Sequence, residues 1–230
     1  MAEVSEMTML NPADGYARWA ATYQRETIVS LLDDALVSAL TPPLAGRRLL
    51  DVGCGTGRRM IAAGAASATG VEPSREMIAA GATARIGRPE LTVLHGHAAD
   101  LPVADHAFDV AWCRLVLGHI GALAAPYAEM ARALVVGGTA VVSDFHPDAH
   151  ARGHRRTFRG PVGVYEIESH PHPIADHILA AEAAGLVLVD GADAAIGPAV
   201  RHLYDEAGRI ELYEAHLGLP LVFALRFERV

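Results

Sequence analysis

Apolar residues recur along this chain with two periods, and their alternation sets out the elements. Residues 47–52 (RRLLDV) end in a short apolar run, the pattern of a strand buried on both faces. Similar runs return at 67–72, 91–95, 108–115 and 139–145. Between them lie segments with helical spacing: 58–66, then 74–85 with Met77, Ile78 and Ala82 inward, then 124–135, closed by a turn at Gly137-Gly138. Ahead of them, 15–40 reads as one or two helices, ended by Pro42-Pro43, and residues 1–11 read as a loose terminus. Strands alternating with helices in this way predict an open, mostly parallel α/β sheet. After residue 145 the rhythm breaks. The stretch RRTFRGPVGVYEIES (155–169) predicts a β-hairpin turning near 160–163. A helix at 174–184, a strand at 186–189 and a last apolar strand in LPLVFALRFERV complete the reading.

The organising stretch is LLDVGCGTGRRM, residues 49–60. Gly53, Gly55 and Gly57 sit between a strand and a helix-compatible run. Glycine permits positive φ and leaves room for a ligand beside the backbone. The free N–H groups of the following helix add a partial positive charge. The dinucleotide fingerprint G-x-G-x-x-G would need a third glycine where Arg58 stands. The spacing is D-x-G-x-G-x-G instead. Glu72 ends the second strand 21 residues after Asp51, where a carboxylate accepts hydrogen bonds from ribose hydroxyls.

LLDVGCGTG resembles motif I of the class I S-adenosylmethionine-dependent methyltransferases. Ala99-Asp100-Leu101-Pro102, the FDV…CRLVLGHI run from Phe108 to Ile120, and Gly137-Gly138-Thr139 resemble the family's later motifs, in the same order. The resemblance covers about residues 16–145 and points to the small-molecule "type 11" kind. It implies a Rossmann-like, doubly wound, seven-stranded sheet whose last strand is antiparallel, with S-adenosyl-L-methionine as cofactor and S-adenosyl-L-homocysteine as product. It implies cofactor contacts from Tyr16, Tyr23, Asp51, Gly53, Cys54, Gly55, Gly57, Glu72, Pro73, Met77, Ala99, Asp100, Leu101 and Arg114. The helix carrying YARWAATY resembles the one that covers the cofactor. The domain expectation is one unit over 1–230: a helical cover (1–45), a cofactor-binding core (46–145), a hairpin lid insertion (146–172) and the rest of the sheet (173–230).

Composition narrows the partners. Net charge is −8, which disfavours a nucleic-acid backbone. All basic residues are arginine, which removes Schiff-base and P-loop lysine chemistry. The longest uncharged stretch, 115–128, is too short to span a bilayer. The acidic start MAEVSEM and two cysteines, Cys54 and Cys113, fit a cytoplasmic enzyme, a monomer or homodimer acting on a small molecule.

Methyl transfer displaces a good leaving group, so the protein mainly orients the acceptor and excludes water. A base is needed only if the acceptor must lose a proton first. The candidates are His146, the first choice, with His119 and Asp144. Six of the twelve histidines and four arginines fall within 146–177. From this region Arg155, Arg156 and Tyr165, with His119 and His146, are the substrate-binding candidates, the arginines suited to a carboxylate or phosphate. A metal site on His146, His150 and His154, or on His170 and His172, is the weaker reading, because Pro147 and Gly153 oppose a regular helix. The expected reaction is methylation at O or N of a small anionic or aromatic molecule. The alternatives are a nicotinamide-dependent oxidoreductase and a non-catalytic binding protein of the same fold.

Overall fold

The computed structural model describes residues 8–160 and 162–230. The stretch MAEVSEM and Pro161, at the expected hairpin turn, lie outside the described residues. In chain order come β1 (Thr8–Leu10), α1 (Pro12–Trp19), α2 (Ile28–Leu40), β2 (Arg48–Val52), α3 (Arg58–Ala62), β3 (Ser67–Glu72) and α4 (Arg75–Ala80). Then follow β4 (Leu91–His95), β5 (Phe108–Arg114), α5 (Ala124–Ala133), β6 (Leu134–Phe145), α6 (Pro147–Ala151), β7 (Thr157–Gly160) and β8 (Gly163–Ile167). The chain closes with α7 (Ile174–Ala183), β9 (Leu186–Ala195), α8 (Arg201–Glu206), α9 (Ile210–His216) and β10 (Pro220–Arg229).

Seven strands form one sheet in the order β4-β3-β2-β5-β6-β10-β9. Pairing is parallel from β4 to β6, and β10 runs antiparallel between β6 and β9. The order reverses between β2 and β5, the place where open α/β sheets bind ligands beyond their carboxyl ends. Alternating side chains give the sheet two cores. One contains Leu50, Ala111, Tyr127 and Phe223; the other contains Leu49, Val110, Trp112, Val222 and Tyr213.

The helices after β2 and β3 are shorter than their patterns predict. α3 stops at Ala62, before Gly64 at φ +68°. α4 stops before Gly81, whose missing Cβ would lie 1.9 Å from the Thr56 carbonyl oxygen. Arg85 donates to the carbonyls of Thr56 and Ile78 (2.7 Å each) and closes that helix end, which leaves Ala82 exposed rather than inward. Gly137-Gly138 is no turn between elements. β6 begins at Leu134 and takes Gly137 (φ +74°) in its stride, with a register shift against β5. Residues 198–216, which no sequence pattern assigned, fold as a 3₁₀ turn and two short helices.

The hairpin forms as expected, but not alone. β1 pairs in parallel with β8, and β8 pairs with β7, giving a separate three-stranded sheet. α1 lies close on it, because a Cβ at Gly15 would come within 2.9 Å of Ile167, which is fully buried. Phe158, Tyr165, Ile167, Leu10, Tyr16 and Trp19 pack between them. The N-terminal helix and the hairpin are thus one apolar body above the switch point. Among the described residues, no helix is long and apolar enough to cross a membrane.

Candidate active site

The turn after β2 is held against β3. The N–H groups of Gly53 and Cys54 both donate to the Val71 carbonyl (2.7 and 3.2 Å). Gly53 has φ +70°, and a Cβ there would meet Val116 at 2.3 Å. Gly55 has φ +59°, and its Cβ would project between Met77 (3.1 Å) and Tyr23 (3.5 Å), both in the cavity wall. Glycine is therefore required at both places on grounds of conformation and of space. Glu72 links the two sides of the cavity floor. Its Oε2 accepts from the Gly55 N–H and its Oε1 from the Ser74 N–H, each at 2.9 Å. Burial raises its pKa, and the two amides partly offset this. Two of its four lone-pair directions remain free for a ligand.

Above these groups lies a cavity of about 650 Å³, within the range of small-molecule sites. Of the predicted cofactor residues, Tyr16, Tyr23, Gly53, Gly55, Glu72, Pro73, Met77, Ala99 and Arg114 line it. Asp51, Cys54, Gly57, Asp100 and Leu101 do not. Asp51 is buried beneath the loop, and that burial pushes its pKa up to about 6 against the pull of Arg114 and Arg59. Cys54 packs its Sγ where a side chain at Gly70 would be. Gly57 caps α3 in the left-handed conformation. Asp100 is exposed in a turn, its N–H bonded to the His97 carbonyl at 3.0 Å. Leu101 is buried in the core and donates its N–H to Glu129 (2.7 Å). The cavity wall also includes Ser74, His97, Ala98, Leu115, Val116 and Ile120, which the sequence reading missed. Leu115 carries φ +60°, unusual for a non-glycine residue, at the carboxyl end of β5.

Arg114 touches the cavity, but its guanidinium is committed elsewhere. It donates to Asp33 through Nε (3.1 Å) and Nη2 (2.7 Å), and to Asp34. Asp33 is completely buried, also accepts from Ser143, and lies 3.1 Å from Arg59. This network ties α2 to α3 and to the middle of the sheet, directly behind the glycine turn.

His119 occupies the opposite wall. Its Nδ1–H donates to the Glu168 carbonyl (2.9 Å), which fixes the tautomer, so Nε2 accepts from the Tyr16 hydroxyl (3.0 Å). Burial, assisted by the Arg156 charge, holds its pKa down at about 4, so the ring is neutral at pH 7. Burial also raises the pKa of the Tyr16 phenol. Behind His119 is a smaller cavity of about 30 Å³, whose wall includes Asp144, Phe145, Arg156 and His177. Asp144 accepts from the N–H groups of Gly118 (2.5 Å) and Phe145 (2.8 Å), and burial raises its pKa.

Three candidates stand apart from both cavities. His146, the expected first base, caps α6: its Nδ1 accepts from the Asp148 N–H (3.1 Å) and its ring lies on Phe223. Pro147 takes the first helical position behind that cap, so the proline that opposed a helix opens a short one. Arg155 donates to the carbonyls of His150 (2.7 Å) and His154 (2.9 Å) and faces Glu166. Tyr165 stacks on Phe158 inside the cover. Among the described residues, no three histidine, cysteine or acidic side chains gather in a way that could hold a metal ion.

Comparison with known proteins places this geometry. Residues 50–142 match the family model described as a methyltransferase domain. That stretch, from β2 to within β6, is similar to methyltransferase domains. An S-adenosylmethionine-dependent methyltransferase from Mesorhizobium loti has the same fold, with a TM-score of 0.67 over 84% of this chain and 95% of that one, at 19% identity. A tRNA U34 carboxymethyltransferase of Methylococcus capsulatus is 40% identical over 82 residues, which are 34% of this chain and 25% of that protein. The O-methyltransferase rstn1 of Aspergillus nomiae is 28% identical over 135 residues, 55% of this chain and 60% of that one. The chain thus spans about a quarter of the length of the tRNA-modifying relative and under two thirds of the O-methyltransferase.

Proposed function

We propose that this chain transfers the methyl group of S-adenosylmethionine to an oxygen or nitrogen of a small anionic or aromatic acceptor, in the cytoplasm. The observation that carries the reading is Glu72. It is buried at the end of β3, anchored to both the glycine turn and α4, with free lone pairs toward a cavity of about 650 Å³. In this reading Glu72 accepts from the ribose hydroxyls. Pro73, Met77 and Ala99 flank the base, and Tyr16, Tyr23 and the glycine turn face the methionine end. The bound cofactor supplies a methyl group on a positively charged sulfur, which leaves as a neutral thioether.

His119 is the general base of this account in place of His146. It belongs to the walls of both cavities, so an acceptor reaching from the smaller space to the larger one passes it. Its Nε2 carries no proton, and the acceptor's hydroxyl or amine takes the position held by the Tyr16 hydroxyl. The Glu168 carbonyl keeps the ring oriented while the proton arrives. The acidic balance of the chain favours a small acceptor over a tRNA, although tRNA-modifying relatives share its core.

The test is turnover with methyl-labelled S-adenosylmethionine against hydroxylated and aminated small molecules, with bulk tRNA in parallel. Labelled small product is expected. His119→Gln is expected to lower kcat by about 10²–10⁴-fold and to change S-adenosylhomocysteine affinity less than threefold. Label on tRNA alone overturns the small acceptor, and undiminished turnover in the variant overturns the base.

A further inference from the structure

Resting on that reading of the large cavity, we infer that the acceptor is a small carboxylic acid whose carboxylate seats on Arg156, with a separate hydroxyl or amino group as the atom that is methylated.

Arg156 is the one arginine of the hairpin region that burial leaves without an acidic partner. Its residue exposure is 9%, and its Nε–H is buried with no hydrogen-bond partner among the described residues. No carboxylate oxygen lies within 4 Å of it among the described residues, whereas the buried Arg114 is matched by Asp33 and Asp34. The rings of Tyr16 (5.9 Å), Trp19 (5.5 Å) and Phe145 (5.6 Å) surround the guanidinium. Cation–π contacts and a hydrogen bond to the Tyr16 hydroxyl ease the burial of the charge, but neither satisfies the Nε–H. A buried cation with an unfilled donor is costly to keep, and a planar carboxylate is the group its fork geometry matches.

The size of the space decides against a bulkier anion. Arg156 borders two small cavities of about 30 Å³ each, one beside His119 and one lined by Trp19, Tyr23 and Arg59, and each has room for about two water-sized groups at 10–15 Å³. That suits a carboxylate and excludes a phosphodiester chain. Position decides which atom reacts. Arg156 does not reach the large cavity, whereas His119 belongs to both walls. The group on Arg156 is therefore a handle, and the reacting atom lies further out, beside His119. The methyl carbon loses its bond to sulfur and gains one to that oxygen or nitrogen, and the displaced proton passes to His119 Nε2. Asp144, the nearby acid, is held by the Gly118 and Phe145 amides and makes no ion pair with Arg156.

The experiment is calorimetry on protein saturated with S-adenosylhomocysteine, using two matched pairs: glycolate with glycolamide, and 4-hydroxybenzoate with 4-hydroxybenzamide. In at least one pair the acid is expected to bind tenfold or more tightly than the amide. Arg156→Met is expected to abolish that difference, with S-adenosylhomocysteine affinity as the folding control, and Arg156→Lys to keep part of it. No preference for the acid in either pair, whether both members bind alike or neither binds, overturns the inference. So does a preference that survives Arg156→Met. If that variant does not fold, the wild-type pairs still decide. Protein that takes up no S-adenosylhomocysteine fails the underlying reading instead, so the two failures are distinguishable.

Discussion

Replacing Glu72 by Gln tests the cavity floor with the smallest change of shape. The carboxylate now accepts from Gly55 and Ser74, one N–H on each oxygen at 2.9 Å. An amide keeps one of these acceptors and turns an NH₂ toward the other N–H. One buried donor is then unsatisfied, or the side chain swings away from one anchor. The glycine turn and the start of α4 lose their common tie, and a ribose loses a charged acceptor. A hydrogen bond to a charged group contributes about 1.5–3 kcal/mol. The affinity for S-adenosylhomocysteine should therefore fall about ten- to 150-fold, at a factor of ten per 1.4 kcal/mol. The assay is calorimetric titration of both proteins, with circular dichroism confirming equal folded content. A change smaller than twofold in a folded variant would refute the argument, because Glu72 would then be structural only.

Two other outcomes follow from the burial pattern. Asp33→Asn leaves Arg114 and Arg59 facing a neutral partner in the core, with the half-exposed Asp34 compensating in part. Unfolding free energy should drop by about 3 kcal/mol, which lowers Tm by about 6–12 °C for a chain of this size; a drop under 1 kcal/mol in urea titration would contradict it. His177 is buried against Tyr127 (3.0 Å), and that burial, with the neighbouring His172, lowers its pKa to about 4 from 6.5. The unfolded chain binds the extra proton between these values, so this contribution is present above pH 6.5 and is lost as pH falls toward 4, about 3 kcal/mol in all. Asp51, raised to about 6 by burial, acts with the opposite sign in an overlapping window. The informative quantity is therefore the difference in stability between the wild type and His177→Gln from pH 7 to 4, which should shrink on acidification; a constant difference would contradict the burial argument.

What the sequence disclosed and what it hid follow from the range of each interaction. The parallel strands announce themselves because burial on both faces leaves Leu49-Leu50 and the stretch 110–113 apolar, with charges only around them. The glycine turn is visible because Gly53 and Gly55 answer to steric limits within a few residues of themselves. Glu72 is visible because a carboxylate closing an apolar strand has few other reasons to be there. The buried ion network was missed, although its signal is present: Asp33-Asp34 interrupts a largely apolar helix, and partners 25 and 81 residues away, Arg59 and Arg114, make that tolerable. His146 was overvalued for a local reason. Followed by Pro147, it is positioned to cap a helix, and its nitrogen serves the Asp148 amide. Tyr165 and Arg155 face the cover's own interior and backbone, which depends on β1 pairing with β8 across more than 150 residues. Short-range pattern carries no trace of that pairing. Among the four arginines of the hairpin region, only the fold distinguishes Arg156, by enclosing it in three rings without a carboxylate.

The account stands first on the identity of the ligand beneath the cover. The most direct measurement is calorimetric titration of the purified protein with S-adenosylhomocysteine, with NAD run beside it. Micromolar binding of S-adenosylhomocysteine at one site per chain, with no heat from NAD, is the predicted result. Binding of NAD alone, or of neither compound, would contradict it.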